Sequence, residues 1–240
     1  MKVFNWTNVR LLLMFVLVIF LFSFTSNRNL NRKLKKSTVI FVGDNALFVK
    51  QETVNKLLIE NRGDATSIEK ENLDLNKLES ALSLHGMIEK ADVFVSIDGV
   101  LKAVVKQKTP IARVFDENGS FYIDYKGNTM PLSANFTARV PLISGEINKD
   151  NREYLVELFR TIYDDAFLKK NIIGVQIMSN GSLIMLNRNY NFQIDFGRMI
   201  NVDKKFNNYK AFFQKAMLDD SLEKYKKIDL RFEEQVVCTK

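Results

Sequence analysis

The stretch ADVFVSIDGVLKAVV, residues 91–105, alternates apolar and polar positions on both sides of an Asp-Gly pair. Val93, Val95 and Ile97 on one arm and Leu101, Ala103 and Val105 on the other can share one face, which is the mark of a β-hairpin. A two-residue loop at Asp98-Gly99 would set Val95 opposite Lys102 on the buried face. A loop that also takes in Val100 pairs Ile97 with Leu101, Val95 with Ala103 and Val93 with Val105, so the spacing predicts the longer loop.

Upstream, Val39-Ile40-Phe41-Val42 is a short β-rich run closed by Gly43-Asp44-Asn45. Val54, Leu57 and Leu58 follow at helical spacing that ends near Gly63, and a polar stretch fills residues 64–72. Asp74 then stands where it would cap a second helix with Leu75, Leu78, Ala81 and Leu82 on one face, ended by Gly86. The order strand, helix, helix, strand, strand predicts a small α+β sandwich over residues 38–109, with helices on one face of a three-stranded sheet.

Downstream, all three prolines, Pro110, Pro131 and Pro141, punctuate short strands at 111–115, 121–124 and 140–143, with Asn118-Gly119 as a turn. A helix with Leu155, Leu158, Phe159 and Ile162 on one face comes next. Residues 172–179 and 182–187 flank Asn180-Gly181 as a second hairpin, and Phe192, Ile194 and Phe196 alternate in a further strand. Another amphipathic helix carries Phe206, Tyr209, Phe212, Phe213 and Ala216. The last two strands are read at Ile228, Leu230 and Phe232, then at Val236 and Val237. Residues 110–240 are therefore expected to form a strand-rich β-domain with two helices against its sheet.

At the N-terminus, residues 11–22 are twelve consecutive apolar residues, and residues 9–25 hold a single charge, Arg10. A helix of that length spans roughly 26 Å, the short limit for a bilayer core. A cleaved signal peptide has a similar apolar run. However, Phe22-Ser23-Phe24-Thr25-Ser26 is a poor small-x-small cleavage site, and Trp6 stands where an interfacial aromatic would sit. The reading is a short tail (1–8), an uncleaved transmembrane helix (9–26) and a basic linker (27–37).

The chain has 240 residues and a formal charge of +7, with 35 Lys+Arg against 28 Asp+Glu. Seven basic residues (Lys2, Arg10, Arg28, Arg32, Lys33, Lys35 and Lys36) and no acidic one lie in residues 1–36, so the remainder is neutral. A neutral body has no excess charge for a phosphate backbone, which argues against nucleic-acid binding. Two basic residues precede the apolar helix and five follow it, and taken literally the positive-inside rule would place the large C-terminal part in the cytoplasm.

Catalytic signatures are missing. No G-x-G pair offers a dinucleotide or phosphate cradle. With His85 as the one histidine and Cys238 as the one cysteine, multi-His and Cys-based metal sites and intrachain disulfides are excluded. The doubled acids Asp164-Asp165, Asp219-Asp220 and Glu233-Glu234 read as solvated surface, the first two at helix ends next to Lys169, Lys170 or Lys215. No enzyme activity, cofactor, metal or small-molecule substrate is expected, and the candidate site is a protein-binding edge. A C-terminal strand at the end of a sheet can receive a partner's strand through its free backbone groups, or can be covered by the chain's own tail.

Several segments in this order are similar to the FtsQ/DivIB family of bacterial division proteins. They are Ala91-x-Val93 through Leu101 to Pro110-Ile111-Ala112-Arg113; Phe121-Tyr122-Ile123-Asp124-x-x-Gly127-x-x-Met130-Pro131-Leu132; Arg139-Val140-Pro141-Leu142-Ile143-Ser144-Gly145; and Ile228-Asp229-Leu230-Arg231-Phe232. The chain departs from the family at Asp98-Gly99, where many members have Trp-Pro, at Lys106-Gln107-Lys108, where many carry Glu, and at Gly86-Met87. The resemblance implies a cytoplasmic tail, one transmembrane helix, a POTRA-like domain and a β-domain. It also places the body outside the cytoplasmic membrane, against the charge count. It implies a divisome scaffold at the septum that binds FtsB (DivIC) and FtsL by strand addition, with further division proteins as candidate partners of the POTRA-like domain. Carried over by residue, the partner-binding positions are Phe232, Glu233, Glu234 and Gln235 at the turn and Val236 and Val237 as the pairing strand. A POTRA-bearing chaperone or assembly factor for exported proteins is the alternative.

Overall fold

A computed structural model describes residues 6–30, 34–43, 48–59, 73–116, 119–232 and 234–240. Outside these lie Met1 to Asn5 of the predicted tail, Arg32-Lys33, Asp44-Asn45, Gly63 with the polar stretch 64–72, Asn118 and Glu233. The apolar N-terminus forms helix α1 (Trp6–Leu30), whose stretch Trp6–Arg28 is long and apolar enough to cross a membrane. The remainder forms two compact units. One takes in the residues before Asp44 and Val49–Gln107, and the other takes in Phe48 and Lys108–Lys240.

The first unit contains β1 (Lys36–Val42), α2 (Gln51–Leu58), α3 (Leu75–Ser83), β2 (Ile88–Val95) and β3 (Val100–Gln107). The sheet order is β1-β3-β2, with β1 parallel and β2 antiparallel to the central β3. This is the expected strand, helix, helix, strand, strand arrangement. The Asp74 carboxylate accepts from the Lys77 N–H at 3.1 Å and caps α3, leaving Leu78 and Leu82 one turn apart on the buried face. Leu82 is fully buried with Leu58, Val54, Leu101, Ala103 and Val105, which contributes about 1.5–3 kcal/mol for such a side chain. Glu79 ties the helix to the sheet by accepting from the Val93 N–H at 2.7 Å.

One boundary and one register differ from the expectation. Leu34, read as part of the linker, is buried in this core, and β1 starts at Lys36. An apolar residue among lysines looks like solvated linker until the strand beside it is seen to bury it. The hairpin register also differs: Val95 faces Leu101, Val93 faces Ala103 and Ala91 faces Val105. That is two residues from the predicted pairing, and a two-residue slip keeps every side chain on its face, so the apolar pattern cannot detect it. The turn decides instead. Gly99 has φ +83°, its N–H bonds the Ser96 carbonyl, and the Ser96 N–H bonds the Val100 carbonyl, giving a three-residue loop with Ile97 at its tip.

Among the described residues the second unit carries a nine-stranded sheet. Its strands are β4 (Pro110–Asp116), β5 (Gly119–Asp124), β6 (Thr129–Met130), β7 (Leu142–Ser144), β8 (Ile172–Ile177), β9 (Leu183–Asn187), β10 (Gln193–Gly197), β11 (Lys227–Asp229) and β12 (Val237–Thr239). They are ordered β12-β11-β10-β9-β8-β7-β4-β5-β6. One row of partners, Val114, Ile143, Val175, Met185, Ile194, Ile228 and Cys238, crosses seven strands on one face. It packs on α4 (Lys149–Asp164) through Leu155, Leu158, Phe159 and Ile162, and on α6 (Val202–Leu218) through Phe206, Tyr209, Phe213 and Ala216. Both helical stripes are those read from the sequence.

Asn148 opens α4 with a reciprocal cap, its side-chain Oδ1 accepting from the Asp150 and Asn151 N–H groups while the Asn151 side chain accepts from the Asn148 N–H. A further helix, α5 (Ala166–Asn171), lies beyond the two that the sequence pattern predicts. Asp165, read as surface charge, caps it by accepting from the Leu168 N–H and pairs with Lys210, while Asp164 accepts from the Tyr125 hydroxyl at 2.8 Å.

Candidate partner-binding edge

The predicted site falls where the chain leaves β11 and returns as β12. On β11, Ile228 points into the core while Lys227 and Asp229 point to the other face. Asp229, 7% exposed, ends the strand: its carboxylate accepts from the Arg231 backbone N–H at 3.0 Å and holds the guanidinium with Nε–Oδ1 3.0 Å and Nη2–Oδ2 2.5 Å. The sequence reading continued this strand to Phe232. The Asp229 carboxylate takes the Arg231 N–H and turns the chain instead.

Asp195 on β10 completes a balanced cluster, 2.8 Å from Lys227 Nζ and 3.5 Å from Arg231 Nε. Gly197 (φ +68°) makes room for the arginine, since a Cβ there would come within 2.7 Å of Arg231 Cγ. From α6, Lys205 reaches the same bend, donating to the Phe196 and Arg198 carbonyls at 2.9 and 2.7 Å while only 5% exposed. Arg198, Lys205 and Arg231 line a groove beside Asp195 and the turn between β8 and β9.

The Arg231 hydrogen bond, outweighing burial, holds the Asp229 carboxyl below the usual carboxylate range, with Lys227 adding to it. The same bond and the Asp195 and Asp229 charges push the Arg231 guanidinium up. Because the folded value for Asp229 is lowered, its contribution is complete above the unfolded pKa and is lost as pH falls through the folded one. Thermal melts between pH 6 and 3 are expected to show an acid-induced loss that shrinks in Asp229→Asn by on the order of 1 kcal/mol, a size limited by solvent at the half-exposed Arg231. Superimposable pH profiles for the two proteins would contradict this role.

β12 is the terminal strand of the sheet, antiparallel to β11, with Thr239 opposite Lys227, Cys238 opposite Ile228 and Val237 opposite Asp229. The Gln193 N–H bonds the Lys226 carbonyl and the Leu230 N–H bonds the Asp195 carbonyl, so the Ile228 backbone groups are the ones directed at β10. By alternation those of Lys227 and Asp229 face β12. The Lys226 N–H bonds the Thr239 carbonyl at 2.8 Å, which agrees with Thr239 pointing inward. Val237 and Thr239 are thus spent within the sheet, and the Cys238 N–H and C=O point outward.

Of the six expected positions, Glu233 lies outside the described residues and the other five separate accordingly. Phe232 is 46% exposed beside the Asp229 turn, Gln235 is exposed, and Glu234 pairs with Lys204 at 2.6 Å. Val236 is partly buried against the core and precedes β12, whereas Val237 lies within it at 40% exposure. The terminal strand is Val237–Thr239, so of the two positions expected to pair, Val237 lies within it and Val236 just before it. Three residues are too few to carry a period in the sequence. The Cys238 side chain faces the core, where burial pushes the thiol pKa up.

His85, the one histidine, accepts from the Met87 N–H at 3.3 Å in a local turn, and burial lowers its pKa. Among the described residues no three His, Cys, Asp or Glu side chains gather to hold a metal.

The family described as FtsQ/DivIB, C-terminal related, matches residues 109–239. A solved structure, the major extracytoplasmic domain of the trans isomer of the cell-division protein DivIB from Geobacillus stearothermophilus, matches at 14% identity, covering 47% of this chain and 95% of its own, with a TM-score of 0.31. No curated protein matches. The match by the family model, running from the residue before β4 through the last residue of β12 and over half of the chain, makes this protein a member of the FtsQ/DivIB C-terminal related family.

Proposed function

We propose that this chain is a non-catalytic bitopic scaffold of the bacterial divisome. In this reading α1 anchors it in the cytoplasmic membrane, with both folded units on the extracytoplasmic side at the septum. It receives a strand from small bitopic division proteins of the FtsB/DivIC and FtsL type along β12, and so helps recruit or regulate septal cell-wall synthesis. Family membership supports a role in cell division. The observation that carries the binding mode is β12 as the terminal strand of the sheet, where alternation directs the Cys238 backbone outward between the half-exposed Phe232 and Val237. Backbone pairing supplies affinity in such complexes and the flanking side chains supply selectivity. The groove carrying Arg198 and Arg231 suits a partner with carboxylates next to its pairing strand.

A fluorescently tagged copy is expected to concentrate at constricting septa, and external protease is expected to remove the body in spheroplasts. Even peripheral label in dividing cells would contradict the division role. An assembly factor for exported proteins would instead bind many extended peptides without septal enrichment.

A further inference from the structure

Helix α1 ends at Leu30, and Leu34 is already buried in the core of the first unit. Four residue steps reach at most about 14 Å, so this unit is tethered close to the membrane on whichever side it lies. The tether arrives at one particular end of it. Lys35 donates its N–H to the Gly99 carbonyl at 2.8 Å, which puts the β2–β3 hairpin tip beside the first residues after α1.

That tip has an unusual composition for a turn in water. Ser96 Oγ donates to the Val100 carbonyl and accepts from the Val100 N–H, so the loop satisfies its own polar groups and Ile97 projects outward at 95% exposure. No other large apolar side chain among the described residues is so exposed. Around it stand Lys35 and Lys36, both exposed, and the half-buried Lys102, against one carboxylate, Asp98. Lys35 is bonded to Gly99 through its own N–H, Lys36 lies opposite Val100, and Lys102 follows two residues after it, so all three lysines lie at this end of the sheet.

We propose that this hairpin tip is a membrane-contacting foot, Ile97 entering the headgroup layer while Lys35, Lys36 and Lys102 face anionic lipid headgroups. The combination of one inserted apolar side chain with a basic surround is the usual chemistry of reversible attachment to an anionic leaflet. It would fix the orientation of the first unit on the bilayer independently of any strand pairing at β12. Leu84, also exposed at 86%, lies just before β2 begins, at the end of that strand away from the tip, and stays in water under this arrangement.

The chain has one tryptophan, Trp6, so Trp6→Phe gives a silent background in which Ile97→Trp or Leu84→Trp is the sole probe. The full chain would be reconstituted into vesicles of phosphatidylcholine, with and without one quarter phosphatidylglycerol, carrying lipids brominated high on the acyl chain. The Ile97→Trp probe is expected to emit at shorter wavelength and to be quenched by about twofold with phosphatidylglycerol. Quenching should weaken on combining Lys35→Glu, Lys36→Glu and Lys102→Glu, and Leu84→Trp should keep water-like emission. Water-like emission from Ile97→Trp in anionic vesicles would overturn the proposal. So would equal quenching without phosphatidylglycerol, or equal quenching of the two probes.

Discussion

Proline at Cys238 is expected to weaken binding of a partner strand by about 10- to 100-fold, while alanine at the same position leaves most of the affinity in place. The outward N–H of Cys238 is the donor a new strand would use first, and proline removes it. Losing that bond and leaving the partner's carbonyl unmatched costs about 1.4–2.8 kcal/mol, which is that range of affinity. Alanine removes the thiol packing but keeps the N–H, so the difference between the two variants isolates the backbone. Val236→Pro, whose N–H lies on the outward side by the same alternation, should weaken binding too. Val237→Pro should act differently, because its N–H is spent on β11: the hairpin itself should loosen. Titration of a partner-derived strand peptide by fluorescence anisotropy would measure all four, and equal affinity for the alanine and proline proteins would remove the edge from consideration.

Lys205→Met is expected to destabilise the second unit by about 3 kcal/mol, because hydrogen bonds from a charged donor are worth about 1.5–3 kcal/mol each and both acceptors are backbone carbonyls at a bend. Its ammonium joins the Phe196 and Arg198 carbonyls across Gly197 and lies 4.9 Å from the centre of the Phe196 ring. Methionine fills the stem volume, so the loss reports the polar bonds and not a cavity. Beneath Arg231, the same bend shapes the floor of the groove, so partner affinity should fall as well. Urea unfolding of the two proteins would read the effect, and a change below about 0.5 kcal/mol, the range of ordinary surface substitutions, would show that the lysine is not structural.

Much of the fold can be read from the chain because its elements carry strong periods. The stripes Leu155, Leu158, Phe159, Ile162 and Phe206, Tyr209, Phe213, Ala216 repeat at helical spacing and are buried on α4 and α6. Asp74 is legible as a cap because capping needs a short acceptor just before an apolar run. Other features carry no local signal. The hairpin slip at Ile97 preserves facing, α5 is too short for a period, and Lys205 is indistinguishable in sequence from its exposed neighbour Lys204 until α6 is laid on β10. At the candidate edge, Asp229 and Arg231 are visible as a motif. That Asp229 stops β11, and that pairing passes to Val237–Thr239, depends on a side chain competing with the ladder.

The central claim is that a partner adds its strand to β12. Amide hydrogen exchange, followed residue by residue in the free and partner-bound protein, tests it most directly. Val237 and Thr239 N–H groups should be protected in both states because β11 already holds them, while the Cys238 N–H should become protected only in the complex. Saturated binding with no change in exchange at Cys238 would contradict the account.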